Sequence, residues 1–183
     1  MDDRELRRRI IAHEAAPQPP GAMLELLKIA PSSPDFKGFR EAVEETPDLA
    51  EALLNAAELQ GEGMSPENVG QACLMLRLPG LQRAVFRHVL PKLFSNGEAG
   101  GFNFAGFFDH AQTCAAYAEK IAQHLNLADA AKAYPAALLQ DIGRPLLAML
   151  NPKAYARVLE AVYAHGLRLL EAEHNELGVD HTL

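Results

Sequence analysis

No stretch of this 183-residue chain alternates apolar with polar residues in the way a half-buried strand must. Ala, Leu, Glu, Lys, Arg and Gln dominate and β-branched residues are sparse, the composition that costs a helix least. The chain is therefore expected to be all-α, with no β-sheet. Apolar residues recur at helical spacing, as in Val69, Ala72, Cys73 and Leu76, or Val85, Val89 and Leu93.

Proline and glycine divide these runs. Pro17-Gln18-Pro19-Pro20-Gly21 ends a charged helix expected over Asp3 to His13 and leads stiffly into Ala22 to Ala30. Pro31 to Pro34 is a turn, followed by helices over Asp35 to Glu45 and Pro47 to Leu59. Thr46-Pro47 and Ser65-Pro66 each set a capping residue before a proline suited to the first helical position. Gly61-Glu62-Gly63 and Pro79-Gly80 close helices, and Pro91 should distort the one over Leu81 to Phe94. The Gly-rich loop Ser95 to Gly101 marks a lobe boundary. It lacks the Lys-Ser or Lys-Thr of a phosphate cradle, so it reads as a connector. Further helices are expected over Asn103 to Asn126, Asp129 to Gly143, Pro145 to Leu150, Pro152 to His165 and Leu167 to Leu177. The expected organisation is an N-terminal helix and linker over 1–18, one helical lobe over 19–96 and a second over 97–183.

A formal net charge of −7 and a pI near 5.5 disfavour nucleic acid or an anionic membrane as a partner. Arg7-Arg8-Arg9 is offset by its acidic neighbours and reads as a solvated helix face. Neither a signal peptide nor a membrane-length apolar run is present, which points to the cytoplasm. Cys73 and Cys114 lie within apolar helical patterns and read as small buried hydrophobes rather than a disulfide.

Two positions stand out chemically. On the helix from Asn103, Phe107, His110, Ala111, Cys114, Ala118, Ile121 and Leu125 share a face, which turns His110 inward. Asp141, within Leu138-Leu139-Gln140-Asp141-Ile142-Gly143-Arg144, follows a strongly apolar run and should also face the core, where it needs a partner. Pro145 removes the N–H that would bond the Asp141 carbonyl, so the helix should kink or end there. A His110–Asp141 pair is the expected structural role. Asp180 follows the Gly178 helix stop and suits an N-cap. His174, His181, Glu173 and Glu176 read as exposed polar residues of a helix end, without zinc-type spacing. His13, His88, His124 and His165 have no constellation around them.

The order of several segments resembles the HDOD family, the signalling-output branch of the HD phosphohydrolase superfamily. They are Pro19-Pro20 before a Leu-rich helix, Thr46-Pro47-Asp48-Leu49 before Leu53-Leu54, and Val69 to Leu78 before Gly80-Leu81. Phe108-Asp109-His110, Leu138 to Arg144, and Glu171 through Gly178-Val179-Asp180-His181 continue the resemblance, which covers nearly everything from Pro19 onward. It implies an HD-domain-like, two-lobed helical bundle. Active HD enzymes hold divalent metal through a first histidine, a His-Asp doublet and a later aspartate; carried onto this chain, these are His110, Gln140-Asp141 and Asp180, with His181 beside it. Gln140 departs from the doublet, because a neutral amide oxygen is a far weaker metal donor than imidazole. Family members carry an Ala-Asn-Ser segment near Asn55-Ala56-Ala57-Glu58 that is not matched cleanly, and they begin another helix where this chain reaches Leu183. The second lobe is accordingly expected to be truncated at its C-terminal end.

The resemblance thus implies a non-catalytic signal-transduction domain with a vestigial pocket of His110, Gln140, Asp141, Asp180 and His181. It would hold no cofactor, act on an unidentified signalling protein, and possess an apolar face suited to a homodimer. One alternative is a phosphohydrolase of nucleotides or cyclic dinucleotides using Mn, Fe or Mg on His110 and Asp141. Another is a nucleotide-sensing pocket without turnover.

Overall fold

A computed structural model describes residue 8 and residues 17–30, 33–61, 63–94 and 100–182. The helix expected over Asp3 to His13 and most of the loop Ser95 to Gly101 lie outside the described residues. Within them every regular element is a helix, as composition demands: α1 (Gly21–Lys28), α2 (Lys37–Glu44), α3 (Pro47–Gln60), α4 (Val69–Leu93), α5 (Phe104–His124), α6 (Ala130–Leu139), α7 (Gly143–Leu150), α8 (Pro152–Tyr163) and α9 (Leu169–Leu177). No described helix is long and apolar enough to cross a membrane.

Local chemistry explains where these helices begin and end, and corrects two expected caps. Thr46 does precede Pro47, but its hydroxyl donates back to the Ala42 carbonyl at 3.4 Å instead of capping α3. The Ser65-Pro66 signature does not open α4; Asn68 does, its Oδ1 accepting the Gln71 N–H at 3.0 Å. The break expected at Pro79-Gly80 falls at Arg77, with φ 53° and ψ 176°, because Pro79 has no N–H for the Met75 carbonyl. Beyond it α4 runs on through Pro91 to Leu93. Asn151 caps α8 by accepting the Ala154 N–H at 3.3 Å, ahead of Pro152. Gly178, at φ 74°, closes α9 in the left-handed conformation that glycine adopts without strain.

The described chain gathers into two compact units that no single cut separates: Gln18–Leu93 with Gln112–Ala137, and Phe94–Ala111 with Leu138–Leu183. The contiguous lobe expected over 97–183 is therefore divided. The physical reason lies on α5 and α6. Glu119, 5% exposed, receives the Arg83 guanidinium at 2.7 Å, and the buried Tyr134 hydroxyl lies in the field of Arg83 and Arg87. These contacts bind Gln112–Ala137 to α4.

In that first unit, Leu26, Phe39, Val43, Leu49, Leu53 and Val85 are buried among α1 to α4. Each contributes roughly 1.5–3 kcal/mol of transfer free energy relative to exposure. Cys73 belongs to the same core, and burial pushes its thiol up to about 11, so it is a packing residue and not a nucleophile. Asp48 of α3 accepts from Lys92 at 2.7 Å and lies 3.1 Å from His88 Nε2; these bonds hold its carboxyl down at about 2.

The second unit is built on Phe102, Leu147, Ala148, Tyr155 and Val179, with Phe104, Phe107, Leu159 and Leu177 packed against them. Phe102 meets Tyr155 edge-on at 5.6 Å and packs at a tilt against Phe107 at 5.5 Å. Gly100, at φ 54°, is required where it stands, since a Cβ there would overlap the Pro152 carbonyl.

Candidate functional site

The buried face of α5 is offset from the expected one by one residue, or about 100° of helix rotation. Phe108, Ala111, Ala115, Glu119 and Ala122 are buried, whereas His110, Ile121 and Leu125 are exposed. The larger apolar residues do not decide the inward face here. Small alanines permit close approach, and Glu119 enters because Arg83 neutralises it. His110 therefore does not point into the core. It lies in the wall of a cavity with Phe102, Asn103, Phe107 and Arg144.

The second candidate segment folds as its proline requires. α6 stops at Leu139, residues 140–142 form a turn, and α7 starts at Gly143, with the Arg144 N–H bonding the Asp141 carbonyl at 3.0 Å. Gln140 is exposed, and the Asp141 side chain is 41% exposed, not buried as its apolar neighbours suggested. Gly143 has a specific steric role: a Cβ at this position would collide with the His181 carbonyl oxygen and lie 3.0 Å from its Cα. This close approach brings the closing segment of the chain beside Asp141.

There the structure assembles a polar chain whose central member the sequence reading placed on the surface. Glu173 is completely buried. Its Oε1 accepts from the Tyr155 hydroxyl at 3.1 Å, and its Oε2 accepts the His181 backbone N–H at 3.1 Å and lies 2.6 Å from His181 Nδ1. The other ring nitrogen of His181, Nε2, is 3.8 Å from Asp141 Oδ1. The bond from Glu173 raises the His181 imidazole above its ordinary 6.5, aided by the Glu173 and Asp141 charges, while burial and Arg144 oppose the shift. The Tyr155 hydroxyl moves upward through burial and the Glu173 charge.

Asp180 takes a local role. Its Oδ1 accepts the Thr182 N–H at 2.9 Å and the Thr182 hydroxyl at 2.6 Å, and these bonds lower its carboxyl below the usual range. Its other oxygen is 3.4 Å from His174 Nδ1. Among the five expected pocket residues, then, the structure joins His181 to Asp141, sets Asp180 in a turn, leaves Gln140 exposed and assigns His110 to the cavity wall. Among the described residues no group of three or more His, Cys, Asp or Glu gathers so as to hold a metal ion.

Glu173 and Tyr155 are the important residues that sequence reasoning missed. One signal was available: Ala172-Glu173 lies on the same helical face as Leu169 and Leu177, so one acid on α9 falls among apolar positions. Nothing local identified its partners, since Tyr155 lies 18 residues away. His88 likewise acquires Asp48, 40 residues away, only through folding, while Lys92 stands one helical turn from it on α4.

A family model for the HDOD domain matches residues 16–183. Among solved structures, an HDOD domain protein with unknown function from Geobacter sulfurreducens is 20% identical, with a TM-score of 0.72 over 98% of this chain and 62% of that one. A protein described as a "Putative phosphohydrolase" from Shewanella amazonensis is 21% identical, with a TM-score of 0.70 over 96% of this chain and 62% of its own. At these identities the likeness is one of fold, and this chain spans under two thirds of the length of either structure. No curated protein matches it.

Proposed function

The chain belongs to the HDOD domain family, related to the HD phosphohydrolases, and from that premise we propose that it is a non-catalytic regulatory domain of signal transduction that acts through contacts with another protein. The observation that carries this reading is the commitment of His181. Both of its ring nitrogens face carboxylates, Glu173 at 2.6 Å and Asp141 at 3.8 Å, in surroundings that favour the imidazolium. With both nitrogens turned to carboxylates, the ring serves to hold the closing segment of the chain.

The remaining donor set fits a divalent cation poorly. Gln140 offers only a neutral amide oxygen and is exposed. Among the described residues the cavity wall around His110 carries the Arg144 cation and no carboxylate, an environment that repels a second cation. The same polar groups serve well as a lock, fastening the closing segment to α9, α8 and the turn before α7. An exposed stripe on α5 of Tyr117, Ile121 and Leu125 supplies apolar surface of the kind a protein partner covers.

Elemental analysis of protein purified without chelator, joined to a phosphodiesterase assay with manganese, tests the reading. Substoichiometric metal and no turnover are expected. Stoichiometric metal with turnover abolished in Asp141→Ala would establish the phosphohydrolase alternative instead.

A further inference from the structure

Within the unit formed by Phe94–Ala111 and Leu138–Leu183, a cavity of about 450 Å³ is bounded by Phe102, Asn103, Phe107, His110, Arg144 and Tyr163, with small and aliphatic residues completing the wall. This volume lies within the range of small-molecule sites. Among the described residues no aspartate or glutamate lines it, in a chain of net charge −7.

Its positive character has two structural sources. The Arg144 guanidinium stands 5.6 Å from the Phe107 ring centroid and 5.9 Å from that of Phe102. Its Nε is buried and makes no hydrogen bond with any described residue, although buried donors are nearly always paired. On its inner side Arg144 interacts with the Tyr155 hydroxyl, a neutral group. The second source is the start of α5. Asn103 and Gly106 both line the cavity, with Asn103 Oδ1 accepting the Gly106 N–H at 3.0 Å, so the positive end of a 21-residue helix borders the same space.

We propose that this cavity binds a small organic anion bearing a planar ring, its oxyanion held by Arg144 and the first turn of α5 and its ring laid against the aromatic wall. A phosphomonoester and a carboxylate share the required chemistry. A ligand engaging Arg144 acts one contact away from Tyr155, and through it from Glu173, so occupancy bears on the bonds that hold His181. The inference extends the regulatory reading, on which it rests only in treating the ligand as bound and not consumed.

Titration calorimetry on the full chain tests it, with guanosine monophosphate and benzoate as anions and guanosine and benzamide as their neutral counterparts. At least one anion is expected to bind one per chain and about tenfold more tightly than its counterpart. Arg144→Gln is expected to abolish that preference. Because Arg144 also packs against two rings, Tyr163→Glu provides the independent variant: Tyr163 is 80% exposed, so the substitution should leave the melting temperature unchanged while placing a repelling carboxylate at the rim. Tighter binding of the phosphate ester than of benzoate assigns the phosphomonoester, and the reverse assigns the carboxylate. No anion binding at millimolar concentration, equal binding of neutral and anionic forms, or binding unmoved by Tyr163→Glu overturns the site. Release of phosphate from the bound ester would instead defeat the non-catalytic reading and leave the site standing.

Discussion

Glu173→Gln keeps the shape of the buried side chain and removes its charge. The neutral amide then presents its NH2 to one of two donors, the Tyr155 hydroxyl or the His181 ring, and a charge-assisted bond becomes a poor contact. A loss of about 2 kcal/mol in urea unfolding is expected, together with a fall of the His181 pKa read by proton NMR titration. His181 itself gives a stability profile of known sign. Its folded value is raised above the ordinary 6.5, so the native state holds the proton more tightly than the unfolded chain does. The stabilisation is complete below the unfolded value and drains away as pH rises through the folded one. Urea midpoints taken from about pH 6 to about pH 9 should therefore decline, and His181→Gln should flatten that decline. An unchanged slope in His181→Gln would assign the decline to other groups. The sequence could reveal Asp141 and His181 as unusual residues but not as neighbours. Their meeting depends on a missing Cβ at Gly143 and on a buried acid 8 residues before His181.

At the scale of elements, helix identity was legible because it rests on composition and punctuation, which are local. Proline and glycine correctly divided much of the chain, including the stop at Gly178, while the turn before α7 falls at residues 140–142, inside the helix expected over Asp129 to Gly143. Helix orientation was less legible. On α5 the volume of Ile121 and Leu125 suggested an inward face, while the core receives Ala115, Glu119 and Ala122. That choice depends on what stands opposite, here Arg83, and the sequence of α5 contains no record of it. Two substitutions measure the difference. Ile121→Ser, on the exposed stripe, should change stability by less than about 0.5 kcal/mol. Ala115→Leu, into a site with no exposure, should cost about 1–3 kcal/mol by overpacking. The reverse ranking in urea unfolding would restore the face that hydrophobicity alone suggests. Gly143→Ala belongs to the same scale, since α7 and the closing segment touch through it. The added methyl must push the His181 backbone away, and about 2 kcal/mol of stability should be lost with the raised His181 pKa.

For the molecule as a whole, the discontinuity of its units matters more than the count of its helices. A loop rich in glycine suggests a boundary, and a cut near residue 96 would leave α1 to α4 as a self-contained lobe. The observed grouping assigns Gln112–Ala137 to that lobe, where Glu119 neutralises Arg83 and Ala115, Ala122 and Tyr134 are buried. A fragment of residues 18–96 keeps the α3–α4 contacts but loses these partners, exposing apolar surface and leaving the Arg83 charge unpaired. It is expected to be helical by circular dichroism yet poorly dispersed by NMR, with a shallow urea transition, because the secondary structure is local while the missing packing is not. Supplying residues 112–137 in the same chain, as in the full protein, should restore a single steep transition. A fragment of 18–96 that unfolded as cooperatively as its length allows would mean that the apolar face of α4 closes without α5 and α6, and that the division of the chain falls at the glycine loop after all.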